Sequence, residues 1–353
     1  MAKKVYQAYL NQIRNAIEDP SLLHNKVMQF SAKTSNHPGK LLLEDVNDLS
    51  AETGLTSLKR LLNKNYPIQV SSGDHPDFVH LRTSKNVKEE HYIVSVFIDV
   101  KNSTHFFRKY NHDQIALIIQ TIQSAAIHTC SLFDGHIQRQ QYDGLFLYFG
   151  GKTKTKEQAI DNALKAVAFF TYFMKYELPE IFGANELNQI FTRAGIDFGD
   201  DNQVSWYVFG VNGCSELTTV SLHTSLVPKM QAYAAHNGIM IGNNLILKIP
   251  KLADYSKVRV SKGEEVPLIF ERPNYKQFEF DWHKFLTDNY PFVKKDGNSI
   301  EIDYDYNLSG TTPTTSFDKK IDMLKNNQGA ISNAGILSTV GHSITPTKFY
   351  GYE

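Results

Sequence analysis

The chain has 353 residues, zero formal net charge, 41% hydrophobic and 21% charged residues, and two distant cysteines, Cys130 and Cys214. That balance suits a globular protein with one substantial core and room for a further domain. It provides no global field to draw the chain to nucleic acid or an anionic membrane, and no disulfide framework, so the setting expected is reducing and cytoplasmic.

The opening stretch MAKKVYQAYLNQIRNAIEDP is broken by polar and charged residues before the apolar core of a secretory leader can form. No apolar run is expected to reach the roughly 18–20 residues that cross a bilayer. Within 1–24, Val5, Tyr9, Ile13 and Ile17 recur at helical spacing. SNHPG at 36–40 and VSSGDHP at 70–76 read as breaks flanking a helix over 56–64. Residues 1–88 are therefore expected to be an N-terminal region of short helices.

At 91 the pattern changes. HYIVSVFIDV is nearly all apolar and rich in β-branched residues, as in a strand buried on both faces. Ser103 or Thr104 is expected to cap a helix beginning HFFRKY, and a longer helix over 112–133 closes at Asp134-Gly135. GHIQRQQYDGLFLYFG at 135–150 alternates through both halves and reads as a β-hairpin, with Asp143-Gly144 suited to a tight turn. A helix at 156–177, strands at 190–198 and 203–210, a helix at 218–236, and strands at 238–241 and 257–270 follow. The order predicts an α+β sandwich with a ferredoxin-like core and helices over one face of the sheet. Residues 89–271 form the expected main domain, 272–308 a small C-terminal module, and 309–353 a flexible tail with a short helix at 317–326.

The chemistry lies at the end of the first strand and the tip of the hairpin. Singly, Asp99 reads as a strand end and Asp143 as a turn residue. Together they place two carboxylates at one edge of a sheet, and hard divalent cations are held by one or two carboxylates plus substrate phosphates. Two such ions can clamp the attacking and leaving oxygens of a phosphoryl displacement. The loop VKNST after Asp99 points toward a helix start, a favourable place for phosphate. His80, His91, His105, His128 and His136 lack the spacing of a zinc site, and GVNG at 210–213 reads as a hairpin turn. The aromatic residues from Phe169 to Tyr176 read as helix core.

FIDVKNSTHFF, then IQRQQYDGLFLYF, then AGIDFG resemble, in order and spacing, the class III adenylate/guanylate cyclase catalytic domain over about 91–270. That family reads F-x-D-[IV]-x-x-[FS]-T, K-x-x-G-D and V-G-I-x-x-G. The resemblance implies Mg²⁺ or Mn²⁺, two ions per site, held by Asp99, Asp143 and the Val100 carbonyl. Lys101, Asn102, Ser103 and Thr104 resemble the loop that wraps the triphosphate, and Lys262 in VSKGE is similar to a phosphate-binding lysine of the last strand. It also implies a nucleoside triphosphate substrate and a homodimer with composite sites.

The departures concern the base. Arg139 stands where purine cyclases carry lysine. In GCSELTTVSLHTSLVPKMQAYA, Ser225 and Lys229 match the family's ribose-orienting Asn and charge-stabilising Arg, four residues apart on one helical face. That alignment puts Thr218 on the base-reading Asp, with Glu216 just upstream; an ungapped alternative puts His223 on the Asn. An arginine fork facing O2 and N3, with Glu216 or Thr218 accepting from an amine, suits cytosine, while Arg139 with Thr218 also suits uracil. These features resemble the pyrimidine cyclases of bacterial antiphage (Pycsar) systems. The resemblance implies a CTP or UTP cyclase whose product acts on a separate effector. An adenylate or guanylate cyclase, or a catalytically silent nucleotide sensor, is the alternative.

Overall fold

A computed structural model describes residues 5–18, 55–64, 68–85, 87–182, 190–211, 213–261, 263–265 and 275–306. The expected loop at 36–40, Lys262, Asn212 of GVNG and the tail at 309–353 with its helix lie outside the described residues. Internal contacts divide the chain into two units, Met1–Leu286 and Thr287–Glu353. In the second, Val293–Asp296 and Ser299–Ile302 form an antiparallel hairpin.

The elements that matter to the site are, in chain order, α1 (Gln7–Glu18), β1 (Lys88–Glu90), β2 (Ile93–Lys101), α2 (His112–Leu132), β3 (Gly135–Gln141), β4 (Gly144–Phe149), α3 (Lys156–Tyr172), β5 (Phe191–Gly199), β6 (Ser205–Val211), β7 (Cys214–Val220), α4 (Leu222–Tyr233), β8 (Gly238–Gly242), β9 (Ser256–Val258) and β10 (Gln277–Phe280). Seven strands form one mixed sheet in the order β3-β4-β2-β5-β8-β10-β9. Within it, β5 and β8 pair in parallel and the other neighbouring strands antiparallel. A second sheet has the order β1-β6-β7.

The fold class is the α+β arrangement read from the sequence, with three differences in its parts. The helix expected over 218–236 is shorter, Leu222–Tyr233, and residues 218–220 are instead the end of a strand, β7, that the sequence reading did not foresee. SELTTV ends in three consecutive β-branched residues, Thr218, Thr219 and Val220, and pairs along its whole length with β6, which overrides any helical reading. The strand expected at 257–270 is interrupted: β9 ends at Val258, and Val260–Ser261 pairs with Glu264–Glu265 as a separate hairpin. The sheet is instead completed by β10, from the segment expected to form a separate module, which pairs with both β8 and β9.

The third difference concerns the faces of the sheet. Strand side chains alternate. Val94, Val96, Ile98, Leu145, Leu147, Ala194 and Ile196 share one face and are all buried, with α2 and α3 packed there. On the other face Ser95 Oγ lies 2.9 Å from Thr224 Oγ1 of α4, and Phe97 packs on Leu226, Val227 and Met230. Helices therefore cover both faces, not one. Gly195 makes the second layer possible, because a Cβ there would meet the Val227 carbonyl oxygen at 2.3 Å. Beside α4, Trp206 and Leu217 of the small sheet cover Ile93 and Tyr148.

Helix α2 also corrects an expectation: by length and composition it is apolar enough to cross a membrane, and 67% of its apolar window is buried within the protein. Its neighbours explain the apolarity. Tyr6, just before α1, docks on it with its hydroxyl 2.8 Å from Thr129 Oγ1, and Tyr9 of α1 with its hydroxyl 2.7 Å from His128 Nδ1. Glu177 accepts from the backbone N–H groups of Val5 and Tyr6 at 3.3 and 3.0 Å, where the helix dipole favours a carboxylate.

Burial pushes His128 and His75 down to about 4 from 6.5. Both stay neutral in the fold while the unfolded chain takes up protons first. Their contribution is thus complete above about pH 6.5 and drains as pH falls toward 4. The expected result is a melting temperature that declines over that window, with a shallower decline in His128→Phe. A His128→Phe profile parallel to wild type would remove His128 from the account.

Candidate active site

Asp99 lies near the C-terminal end of β2, in register with Gly144 of β4 and Arg193 of β5. The next residue, Val100, pairs with Thr192 and donates its N–H to the Asp143 carbonyl at 2.9 Å. That bond sets the hairpin tip beside the end of β2, so the two aspartates predicted to converge occupy neighbouring positions.

The tip differs in detail from an Asp-Gly turn. Tyr142, not Gly144, takes the left-handed conformation, with φ of 32°, and its side chain is 53% exposed. Gly144 begins β4, where a Cβ would come within 3.2 Å of the Phe97 ring. Its glycine answers close packing. A tyrosine held at positive φ is an uncommon backbone state of the sort that gathers at functional sites; the Gln123 amide holds its carbonyl.

The loop after β2 reverses at Asn102, with φ of 69°, into a short 3-10 helix, Ser103–Arg108. Neither Ser103 nor Thr104 caps it. The buried Ser103 hydroxyl donates instead to Asp143 Oδ2 at 2.6 Å, tying loop and hairpin together. Lys101 is partly exposed and Thr104 exposed.

Asp99 has two partners that the sequence reading missed. Its Oδ2 accepts from Arg193 Nη2 at 3.0 Å and from Gln231 Nε2 of α4 at 2.9 Å. Arg193 carried one available signal, a charged residue inside the apolar strand IFTRAGIDF. Gln231 carried none beyond its place on the helix. Asp99 Oδ1 takes no hydrogen bond among the described residues. Among those residues no group of three or more His, Cys, Asp or Glu assembles. The donors at this edge are two carboxylates and nearby hydroxyl and carbonyl oxygens. That set fits a hard divalent cation completed by substrate phosphates, and does not fit zinc.

A second group sits farther back on the hairpin. Arg139 is half-exposed and forms an ion pair with Glu216 of β7. Gln138, also unforeseen, donates to Glu216 Oε1 at 3.0 Å and to the Leu217 carbonyl at 2.9 Å. Thr218 is two residues along β7 on the same face as Glu216, its Oγ1 3.3 Å from the Tyr148 hydroxyl. Arg139, Glu216 and Thr218, all expected to read a base, are thus brought together. Arg139 is four residues from Asp143, roughly 13 Å along an extended strand, and no hydrogen bond or ion pair among the described residues links this group to Asp99 or Asp143.

Ser225 and Lys229 form a third set. On α4 the inward residues are His223, Leu226, Val227, Met230 and Gln231. At 100° per residue, Ser225 and Lys229 project from the opposite side, and both are exposed. Ser225 Oγ donates to the Ser221 carbonyl at 2.9 Å, and Lys229 has no ion pair or hydrogen bond among the described residues. His223, the alternative to Ser225, is buried. Its Nδ1 lies 2.9 Å from Asp197 Oδ2 and its Nε2 accepts from Asn244 Nδ2 at 3.0 Å. Burial raises the Asp197 carboxyl above its usual range, and Tyr275 donates to its other oxygen at 2.8 Å. This network locks α4 to β5 and keeps both Asp197 and His223 buried.

No family model matches the chain. It is 39% identical over 275 residues to a cytidylate cyclase of Staphylococcus aureus, a match covering 76% of this chain and 64% of that protein. A cytidylate cyclase of Escherichia coli is 29% identical over 231 residues, covering 61% of this chain and 49% of that one. Among solved structures, the adenylyl cyclase CyaB of P. aeruginosa aligns with a TM-score of 0.46 and 15% identity, covering 55% of this chain and 95% of its own. The chain spans about half to two thirds of the length of these curated relatives. In sequence it is similar to cytidylate cyclases across 56–76% of its own length.

Proposed function

We propose that this chain is a pyrimidine nucleotide cyclase, converting CTP, with UTP as the other candidate, to the 3′,5′-cyclic monophosphate and pyrophosphate. The observation that carries the reading is the placement of Asp99 and Asp143 at one sheet edge, joined by Val100 and Ser103. The proposed catalytic domain starts at 89, as read from the sequence, and extends past 271 to take in β10, which completes its sheet. Asp99, Asp143 and the Val100 carbonyl would hold Mg²⁺ or Mn²⁺, which supply charge neutralisation and a lowered 3′-hydroxyl pKa when bound.

The ribose 3′-oxygen attacks the α-phosphorus as the bond to the bridging oxygen of pyrophosphate breaks, and the hydroxyl proton leaves to solvent. Lys101, Asn102, Ser103 and Thr104 border the triphosphate, with Lys262 a further candidate. Ser225 orients the ribose, and Lys229 stabilises charge growing on the α-phosphate. Since Lys229 projects away from the sheet that carries its own Asp99, it serves a partner's aspartates. The working unit is a homodimer with two composite sites. The two cysteines, both unpaired, support a cytoplasmic setting, and the likeness to Pycsar cyclases supports an antiphage signal read by a separate effector.

Cytosine is favoured by the Arg139–Glu216 pair, which sets a donor fork beside a carboxylate acceptor. Cytosine offers two acceptors beside an amine, whereas uracil has no amine for Glu216. Glu216→Gln, whose amide can donate as well as accept, is expected to cut the CTP-over-UTP preference about tenfold, read as the ratio of kcat/KM values. An equal loss on both substrates would assign Glu216 a structural role. The reading as a whole is tested by incubation with each of the four nucleoside triphosphates and Mn²⁺, followed by chromatography. Nucleotide binding without any cyclic product would leave the silent-sensor alternative.

A further inference from the structure

Helix α4 presents different chemistry on its two sides, and its inner side is held in place at several points. Gly195 admits the helix so closely that a Cβ there would sit 2.9 Å from the Gln231 backbone nitrogen. The Asp197–His223–Asn244 network fixes the start of the helix. Gln231 is therefore delivered to a defined place, 4% exposed, with its amide donating to Asp99 Oδ2 at 2.9 Å.

We propose that Gln231 is a positioning residue for Asp99, fixing the carboxylate through Oδ2 so that Oδ1 is left for a divalent cation. This rests on the cyclase reading above. The residue type suits the task. A neutral amide orients a carboxylate without cancelling its charge, whereas lysine at this place would compete with the cation and glutamate would repel Asp99. Arg193 holds the same oxygen, but as a cation it weakens the site it steadies. Hydrogen-bond partners behind a metal-ligating group commonly change metal affinity or activity by about 10- to 100-fold when removed. Because Lys229 lies two residues away on the outer side, one rigid helix sets Asp99 in its own half-site and the charge-stabilising cation of the other.

The test is Mn²⁺ binding to the full chain with α,β-methylene-CTP, followed by electron paramagnetic resonance of free Mn²⁺. Gln231→Met keeps the volume and removes the donor. It is expected to weaken Mn²⁺ binding about 10- to 100-fold, to raise the Mn²⁺ needed for half-maximal turnover, and to leave kcat at saturating Mn²⁺ within a few-fold. Gln231→Asn, which keeps the amide on a shorter stem, is expected to lose less. It also keeps the test open if the methionine variant does not fold. Wild-type Mn²⁺ affinity in folded Gln231→Met, or in Gln231→Asn where the methionine variant does not fold, overturns the proposal. Asp99→Asn separates the two failures. If it loses Mn²⁺ while Gln231→Met does not, only the role of Gln231 falls; if wild type binds no Mn²⁺, the metal reading falls and takes this proposal with it.

Discussion

Asp143→Asn is expected to lower cyclase turnover by about 10²- to 10³-fold while the protein keeps its fold and melting temperature. Removing one carboxylate from the proposed two-carboxylate cation site forfeits several kcal/mol of transition-state charge stabilisation, and each 1.36 kcal/mol is about tenfold in rate. Asparagine suits the hairpin tip, can still accept from Ser103, and leaves the Asp143 carbonyl bonded to Val100. Structural loss is therefore small. Asp99→Asn would be a poorer probe. It strips Arg193, only 17% exposed at its side chain, of its counter-charge, and an unpaired buried cation costs stability directly. Turnover and thermal melting measured on the same preparation separate the two effects. Full turnover in Asp143→Asn would remove the hairpin aspartate from the metal site.

The parts of this site that were legible in the sequence are those carried by local pattern. β2 announces itself by a continuous apolar run, which places Asp99 at a strand end. The hairpin announces itself by alternation, which places Asp143 at its tip and Arg139 four residues back. What was not legible depends on pairings distant in sequence. Arg193 and Gln231 reach Asp99 across 94 and 132 residues, and neither carries a local mark of that partnership. The end of β7, residues 218–220, was read as the start of a helix because its pairing with β6 is decided by the hairpin between them, while LTTVSLHTSL has apolar spacing compatible with either state. The strand completing the sheet, β10, comes from an aromatic, acidic stretch whose composition suggested a separate module. Helices on both faces follow from Gly195, a packing role invisible without knowing what approaches it.

Two inactive variants, mixed, are expected to regain activity. Lys229→Ala should lower turnover by about 10²- to 10³-fold, since it removes the cation proposed to meet charge growing on the α-phosphate. The orientation of α4 makes the next step specific. Gln231 reaches Asp99 from the inner side of the helix, and Lys229 projects from the outer side, away from the sheet that holds both aspartates. A lysine so placed meets aspartates only on another copy of the chain. In a heterodimer of Asp143→Asn and Lys229→Ala chains, one composite site carries both lesions and the other carries none. With equal amounts and free exchange, half the dimers are mixed and each has one intact site, so recovery approaches roughly a quarter of wild-type turnover in an isologous dimer. Coexpression with two affinity tags and tandem purification isolates the mixed dimer, raising the expectation to about half. Mixed dimers that form, as counted by native mass spectrometry, yet stay as inactive as their parents would place Lys229 and Asp143 in separate sites. The cation on the α-phosphate would then have to come from the aspartates' own half-site, where Arg193 and Lys101 are the nearest candidates.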